Sequence, residues 1–461
     1  MSISDRGSQI HKKWFFSLKK TYARDGIFDS PANMQGVVLS GDNLNHLQEM
    51  DRLGRRARQA ARALVNASTD QKNQALLAMA ETLDSKTLNI QAANELDLAR
   101  ADEKGITGAL RDRLKLTPSR IESMAQGLRE VAELSDPVGR IVDEWVRPNG
   151  LQISQIRIPL GVIGMIYEAR PNVTSDAAGL CLKSGNVVFL RGGSEAQHSN
   201  QAILDCLRSA VETVGLPPDV LMSLPSTDRS WIMAMLKADA HIDVIIPRGG
   251  EALIDFVTEN SKVPVIKHYK GVCHVYVDER ADLAKAEEIC FNAKVQRPGV
   301  CNAMETLLIH ESVAGQFIPR IFERFRGAGV AICGCEKTTK IDSDVSPASL
   351  EDYHAEYLDL KIAVKVVSDV DAAISHIDEF GSDHTESIVS EDQETIERFI
   401  HRIQSSVVMA NASTRFSDGG QMGLGAEIGI STSKLHAYGP MGVNDLTTRK
   451  YIIRGAGQIR S

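Results

Sequence analysis

Val162-Ile163-Gly164-Met165-Ile166-Tyr167 and Val187-Val188-Phe189-Leu190 are short, unbroken apolar runs, and 176–182 between them is spaced as a helix. Apolar runs without alternation fit strands covered on both faces, as in a parallel sheet with helices above and below. The same rhythm continues outward: helix over 196–214, strand over 244–247, helix over 251–260, strand over 265–268. A second series follows, with strands at 275–278, 306–310, 363–367, 388–390 and 407–410 and helices over 281–294, 312–325, 371–380 and 394–403. This alternation predicts an α/β protein with two doubly wound domains.

Upstream, the apolar residues of 44–99 recur at helical spacing, broken at Ser68-Thr69-Asp70, where polar side chains end one helix and cap the next. The spacing predicts a long helical hairpin. A further helix is expected over 118–134, with Thr117 as N-cap and Pro118 in its first position. Pro148-Asn149-Gly150 separates two alternating runs, 144–147 and 151–158, and predicts a β-hairpin flap. The tail Tyr451-Ile452-Ile453-Arg454 is strand-like but isolated, so it is expected to join a sheet elsewhere, in this chain or in another subunit.

A formal charge of −8 over 461 residues argues against a nucleic-acid footprint, yet leaves room for a local basic pocket and a small anionic substrate. Seven cysteines (Cys181, Cys206, Cys273, Cys290, Cys301, Cys333, Cys335) are an odd number without CxxC spacing, which suits reduced thiols in the cytoplasm. Cys333 and Cys335 have no second pair of Cys or His nearby in sequence, so no metal site is expected and they read as small loop residues. Residues 1–42, with Trp14, Phe15 and Phe16 among basic residues, differ from the rest and read as a flexible extension. Their apolar run is too short for a secretory signal, and no segment reaches the roughly 20 apolar residues of a membrane span.

Three segments are able to carry chemistry. Gln296-Arg297-Pro298-Gly299-Val300-Cys301-Asn302-Ala303-Met304 is a turn between a helix and a strand, where a thiol can be exposed. Only a thiolate attacks, and Lys294 and Arg297 are the cations expected to favour it; a small buried cysteine fits the same context. Arg191-Gly192-Gly193-Ser194 and Arg248-Gly249-Gly250 stand at strand-to-helix junctions, where open backbone amides bind phosphate. Neither completes G-x-G-x-x-G, and tight turns account for the glycines equally well. The stretch 411–420, continued through 423–429 to Lys434-Leu435-His436, has the glycine and polar content of a binding loop. Arg415 there suits a bidentate grip on a carboxylate, while His436 reads as structural.

Together with Tyr167-Glu168-Ala169-Arg170-Pro171-Asn172-Val173 and Lys270-Gly271-Val272-Cys273-His274-Val275-Tyr276-Val277-Asp278, these segments closely resemble the γ-glutamyl phosphate reductases of the aldehyde dehydrogenase superfamily, over about 44–460. The resemblance implies an aldehyde dehydrogenase-like fold: an NADP-binding domain (43–141 and 159–270), a catalytic domain (271–443) and an oligomerisation flap (142–158 and 444–461). It implies NADPH-dependent reduction of L-glutamyl 5-phosphate to L-glutamate 5-semialdehyde with phosphate release, the second step from glutamate to proline. Within the superfamily the alternative is a CoA-acylating aldehyde dehydrogenase. Outside catalysis it is a chain that has become a binding or structural protein. The implied partners are a separate glutamate 5-kinase and further copies of this chain, in a homodimer or homotetramer.

Residue by residue, Cys301 is similar to the superfamily's nucleophile and Asn172 to the asparagine that holds the oxyanion. Arg191, Gly192, Gly193, Ser194, Arg248, Gly249 and Gly250 fall at cofactor positions, and Glu356 resembles the glutamate on the nicotinamide ribose. Arg191 in place of a lysine implies a 2′-phosphate on that cofactor. Arg170, Asn411 and Arg415 are candidates for the substrate's phosphate and carboxylate. Hydrolytic relatives carry Glu-Leu-Gly-Gly-Lys where this chain has His268-Tyr269-Lys270-Gly271, implying that no base there delivers water to a thioester. Tyr438 replaces an arginine usual before Gly439-Pro440, which removes one cation.

Overall fold

The computed structural model describes residues 41–267 and 270–460. Contacts divide the chain into two units, Met1–Gln48 and Glu49–Ser461. The extension expected at 1–42 lies outside the described residues up to residue 40, and the first unit is represented only by the opening turns of helix Gly41–Leu64.

Within the second unit, four parallel strands form one sheet in the order Leu221–Ser223, Val187–Gly192, Val162–Tyr167, Val244–Arg248. All six side chains of Val162–Tyr167 are buried, as an unbroken apolar run requires when both faces are covered. Of the strand expected over 265–268, whose last residue lies outside the described ones, a single bridge between Val265 and Ile245 is present, just after Pro264, which has no N–H to extend a ladder. Seven parallel strands form the second sheet, ordered Ser346–Pro347, Ala331–Gly334, Lys361–Val367, Met304–His310, Cys273–Val277, Thr385–Val389, Val407–Ala410. Cys333 lies buried in one of its strands, not in a loop. Two doubly wound lobes are therefore present, and residues 428–446, expected mostly with the second lobe, send Ile428, Met441, Val443 and Leu446 into the core of the first.

The predicted hairpin forms from Ile141–Val146 and Gln152–Pro159. The C-terminal strand Thr447–Arg454 pairs antiparallel with Gln152–Pro159 along its whole length, so its partner is in its own chain. The helical hairpin is three helices, Gly41–Leu64, Thr69–Ser85 and Thr87–Glu103, because Lys86 leaves helical geometry between the last two. Ser68 caps Thr69–Ser85 through the Gln71 N–H, and Thr117 caps Pro118–Glu133 through the Arg120 N–H.

One buried carboxylate ties these helices to the first sheet. Asp97 accepts from the N–H groups of His198 (3.2 Å) and Ser199 (2.7 Å) and from Ser199 Oγ (2.7 Å), at the start of helix Gln197–Thr213. Beside it, Asn94 donates to the Leu114 carbonyl at 2.8 Å and accepts from the Leu116 N–H at 2.8 Å. A negative group here satisfies donors that the helix cannot pair and opposes its dipole. Asp97→Ala should lower stability to urea by about 2–3 kcal/mol, since it strands those donors in the interior; a loss under about 0.5 kcal/mol would contradict this role.

Candidate active site

Helix Leu283–Val295 is capped by the Asp282 carboxylate and ends at Gln296. Pro298 has no N–H with which to extend it. The chain turns, with the Ala303 N–H bonded to the Val300 carbonyl at 3.1 Å, and enters the strand Met304–His310. Cys301 is thereby set in the turn, at the head of a buried strand.

Its side chain reaches a cleft of about 870 Å³ between the two lobes. Arg170, Asn172, Asp176 and Arg248 line this cleft from the first lobe, and Arg297, Glu356 and Arg415 from the second. Burial pushes the Cys301 thiol up to about 11; Arg248 and Arg170 pull it down, while Glu427 and Glu356 add to the rise. Lys294 does not fill the part expected of it. Its ammonium is fully buried and pairs with Glu305 at 2.6 Å, because the helix turns that face toward the strand. Arg170 feels the crowding most: burial, then Arg248 and Arg113, lower it to about 10.

Asn172 is the N-cap of helix Val173–Lys183 and donates from Nδ2 to Asp176 at 2.9 Å. Burial raises the Asp176 carboxyl to about 6. Arg415 donates to Gln296 Oε1 at 2.8 Å and also bonds Asn302, so its guanidinium is fixed at the cleft edge. Asn411 is not brought to the cleft. It has a φ of 54°, and its amide is consumed by the Ser390 N–H (3.1 Å) and carbonyl (2.8 Å), which make it a turn residue at the end of a strand.

The cofactor positions divide between two places. Arg248, Gly249, Gly250 and Glu356 line the cleft beside Cys301. Arg191 and Gly192 line a smaller cavity of about 70 Å³ at the end of Val187–Gly192, where Arg191 donates to the Thr227 carbonyl at 2.6 Å. Gly193 is buried and Ser194 is exposed at the entry to the next helix. The Nε atoms of both Arg191 and Arg248 are buried without an acceptor among the described residues. Each is an unmet donor of the kind that a phosphate or ribose oxygen satisfies. At Gly249 a Cβ would fall 2.4 Å from Glu168 Oε2, so a side chain there would displace the carboxylate that accepts the Gly250 N–H at 3.0 Å.

Glu168, Asp176 and Glu427 also line the cleft, and the sequence does not single them out. Glu168 and Asp176 stand inside quoted or adjacent segments, and the spacing of Asp176 four residues after Asn172 was the available signal. Ala169, between the two lining residues Glu168 and Arg170, has a φ of 40°, a strained value for a residue with a Cβ, held by its N–H bond to Glu195. His436 bonds the Asp445 carbonyl at 2.6 Å and is structural. The Tyr438 hydroxyl bonds the Gln404 carbonyl, well apart from the cleft lining. Of the segment 268–271, His268 and Tyr269 lie outside the described residues.

An aldehyde dehydrogenase family model matches residues 31–358. A γ-glutamyl phosphate reductase of Geotalea daltonii is 55% identical over 404 residues, 88% of this chain and 97% of that protein. One from Salinibacter ruber is 52% identical over 427 residues, 93% of this chain and 98% of that protein. The crystal structure of the Thermotoga maritima γ-glutamyl phosphate reductase superposes with a TM-score of 0.87 at 46% identity, covering 90% of this chain and all of that one. An acetylating aldehyde dehydrogenase of Geobacillus thermoglucosidasius, at 17% identity and a TM-score of 0.67, shares the fold. The chain belongs to the aldehyde dehydrogenase family and, within it, to the γ-glutamyl phosphate reductases.

Proposed function

We propose that this enzyme reduces L-glutamyl 5-phosphate to L-glutamate 5-semialdehyde with release of phosphate, through a thioester on Cys301, as the second step of proline biosynthesis. The observation that carries the reading is a cysteine in a cleft lined by Arg170, Arg248, Arg297 and Arg415. Those cations match a substrate bearing a carboxylate and an acyl phosphate. The Cys301 thiolate attacks the γ-carbonyl, and the oxyanion is held by the Asn172 amide and the Cys301 N–H. The carbon–oxygen bond to phosphate then breaks, with Arg170 and Arg415 as the cations for phosphate and carboxylate. A nicotinamide cofactor, when bound, would supply hydride to the thioester; NADPH is the preferred form, and Arg191 is the residue that would hold its 2′-phosphate. Glu356 is assigned to the nicotinamide ribose, and the 192–194 and 249–250 turns to the dinucleotide. When the reduced adduct collapses, the carbon–sulfur bond breaks and Cys301 is regenerated.

The cofactor domain is taken as 43–141 with 159–270, its core completed by 428–446, and the remainder of 271–443 as the catalytic domain. Ile141, Val146, Tyr451 and Ile453 are each more than half exposed on the three-stranded sheet, which is the face assigned to a second copy in a dimer or tetramer. A separate glutamate 5-kinase supplies the labile acyl phosphate, in the cytoplasm. Among the described residues no helix is long and apolar enough to cross a membrane.

Cys301→Ala should abolish NADPH oxidation in an assay coupled to glutamate 5-kinase while NADPH still binds by fluorescence titration; retained turnover would refute the covalent route, and turnover with an acyl-CoA alone would favour the CoA-acylating reading. In the ligand-free enzyme, alkylation of Cys301 by iodoacetamide should keep rising with pH beyond the ordinary thiol range near ~8.5, toward about 11. The sign follows from the raised value: thiolate accumulates only as pH approaches it, and Arg248→Gln, which removes the leading opposing cation, should move the curve further alkaline. A plateau below the ordinary thiol value would contradict this. Ile453→Glu should convert the oligomer to monomer in light scattering after gel filtration, and an unchanged mass would remove the sheet from the interface.

A further inference from the structure

The 270–278 segment carries a thiol that the chemistry above does not use. Cys273 opens the buried strand Cys273–Val277, and its Sγ lies 3.2 Å from the Cys301 carbonyl oxygen and 3.6 Å from His384 Nδ1. Burial, with Glu386 next, pushes the Cys273 thiol well above its ordinary range, so its proton stays on sulfur and is available to that carbonyl. His384 is in turn fixed, with Nδ1 2.8 Å from Thr385 Oγ1, and Thr385 donates to Ser417 Oγ at 2.8 Å. The Ser417 carbonyl accepts from Asn302 Nδ2 at 2.8 Å. This chain of contacts thus leaves the main chain of Cys301 and returns to the side chain of its neighbour, Asn302.

We propose that Cys273 is a positioning residue for the reaction: by donating its thiol proton to the Cys301 carbonyl, it fixes the main chain so that the Cys301 sulfur and N–H face the cleft together. Holding the carbonyl of 301 fixes the 301–302 peptide plane, while the Ala303 N–H bond to the Val300 carbonyl at 3.1 Å fixes the preceding plane, which carries the Cys301 N–H, so that together they restrain the backbone on both sides of Cys301. The inference rests on Cys301 being the nucleophile. An S–H group is a weak donor, so the expected effect is one of precision rather than of all-or-none activity.

The test compares Cys273→Ser, which keeps a donor, with Cys273→Ala and Cys273→Val, which do not, in the phosphate-dependent oxidation of glutamate semialdehyde by NADP. Cys301→Ala serves as the reference. Both donor-free variants should lose kcat by roughly tenfold with little change in KM, and Cys273→Ser should recover most of it. Val fills the space that Ala vacates, so a failure of Ala to fold leaves the comparison intact. Wild-type kcat in a folded donor-free variant, or equal losses in Ser and Val, would overturn the proposal while Cys301→Ala remains inactive. Activity in Cys301→Ala would instead remove the reading beneath it.

Discussion

The architecture of the cleft depends on how closely two backbones approach. A Cβ on residue 271 would fall 1.9 Å from the Cys301 carbonyl oxygen and 2.7 Å from its Cα, so only glycine allows the chain to pass there. The Gly271 N–H points to Glu356 Oε1 at 2.9 Å, and Val272 is held by Ser382 at 2.9 Å. Glu356 belongs to a loop anchored from behind, where Glu305, paired with Lys294, accepts the Leu358 N–H at 3.4 Å. Cys301, the entry to the strand Cys273–Val277 and the Glu356 loop are therefore joined by direct contacts. A displacement at any of them is transmitted to the sulfur.

The electrostatics of that piece oppose one another, and burial wins. With its thiol near 11, Cys301 is ionised at neutral pH to about one part in ten thousand in the ligand-free cleft. Arg248 and Arg170 are close enough to lower the value but do not bring it to neutrality. Glu356 and Glu427, which line the same cleft, have carboxyl groups that burial has also raised, so they are stronger bases than exposed carboxylates. A thiol held in its neutral form between turnovers is a poor target for oxidants, because the thiolate is the reactive species.

What the sequence made legible follows from which signals are periodic. Long apolar runs such as 162–167 and 306–310 identified the buried central strands, and Ser68 and Thr117 marked helix starts through their own hydrogen bonds. The strands Ser346–Pro347, Leu221–Ser223 and Ala331–Gly334, two to four residues long, are too short to display a clear period, and the sequence does not reveal them. At the site, the turn chemistry of 296–304 pointed to Cys301, and of the two cations expected beside it Arg297 lines the cleft while Lys294 does not. Proximity in sequence favoured Lys294, whereas folding brings Arg170 and Arg248 from more than fifty residues away and buries Lys294 against Glu305. Asn411 failed for a related reason: it sits in a polar loop, yet its side chain is spent on the Ser390 backbone.

The glycine pairs carry the same lesson for phosphate recognition. Their sequence suggests open amides at two helix starts, and the protein meets some of the amides near them with its own carboxylates. Asp97 takes the His198 and Ser199 amides, and Glu168 takes that of Gly250. The groups still lacking an acceptor are the Nε atoms of Arg191 and Arg248, one beside each pair. Beside each glycine turn, therefore, a guanidinium donor remains open to an anion.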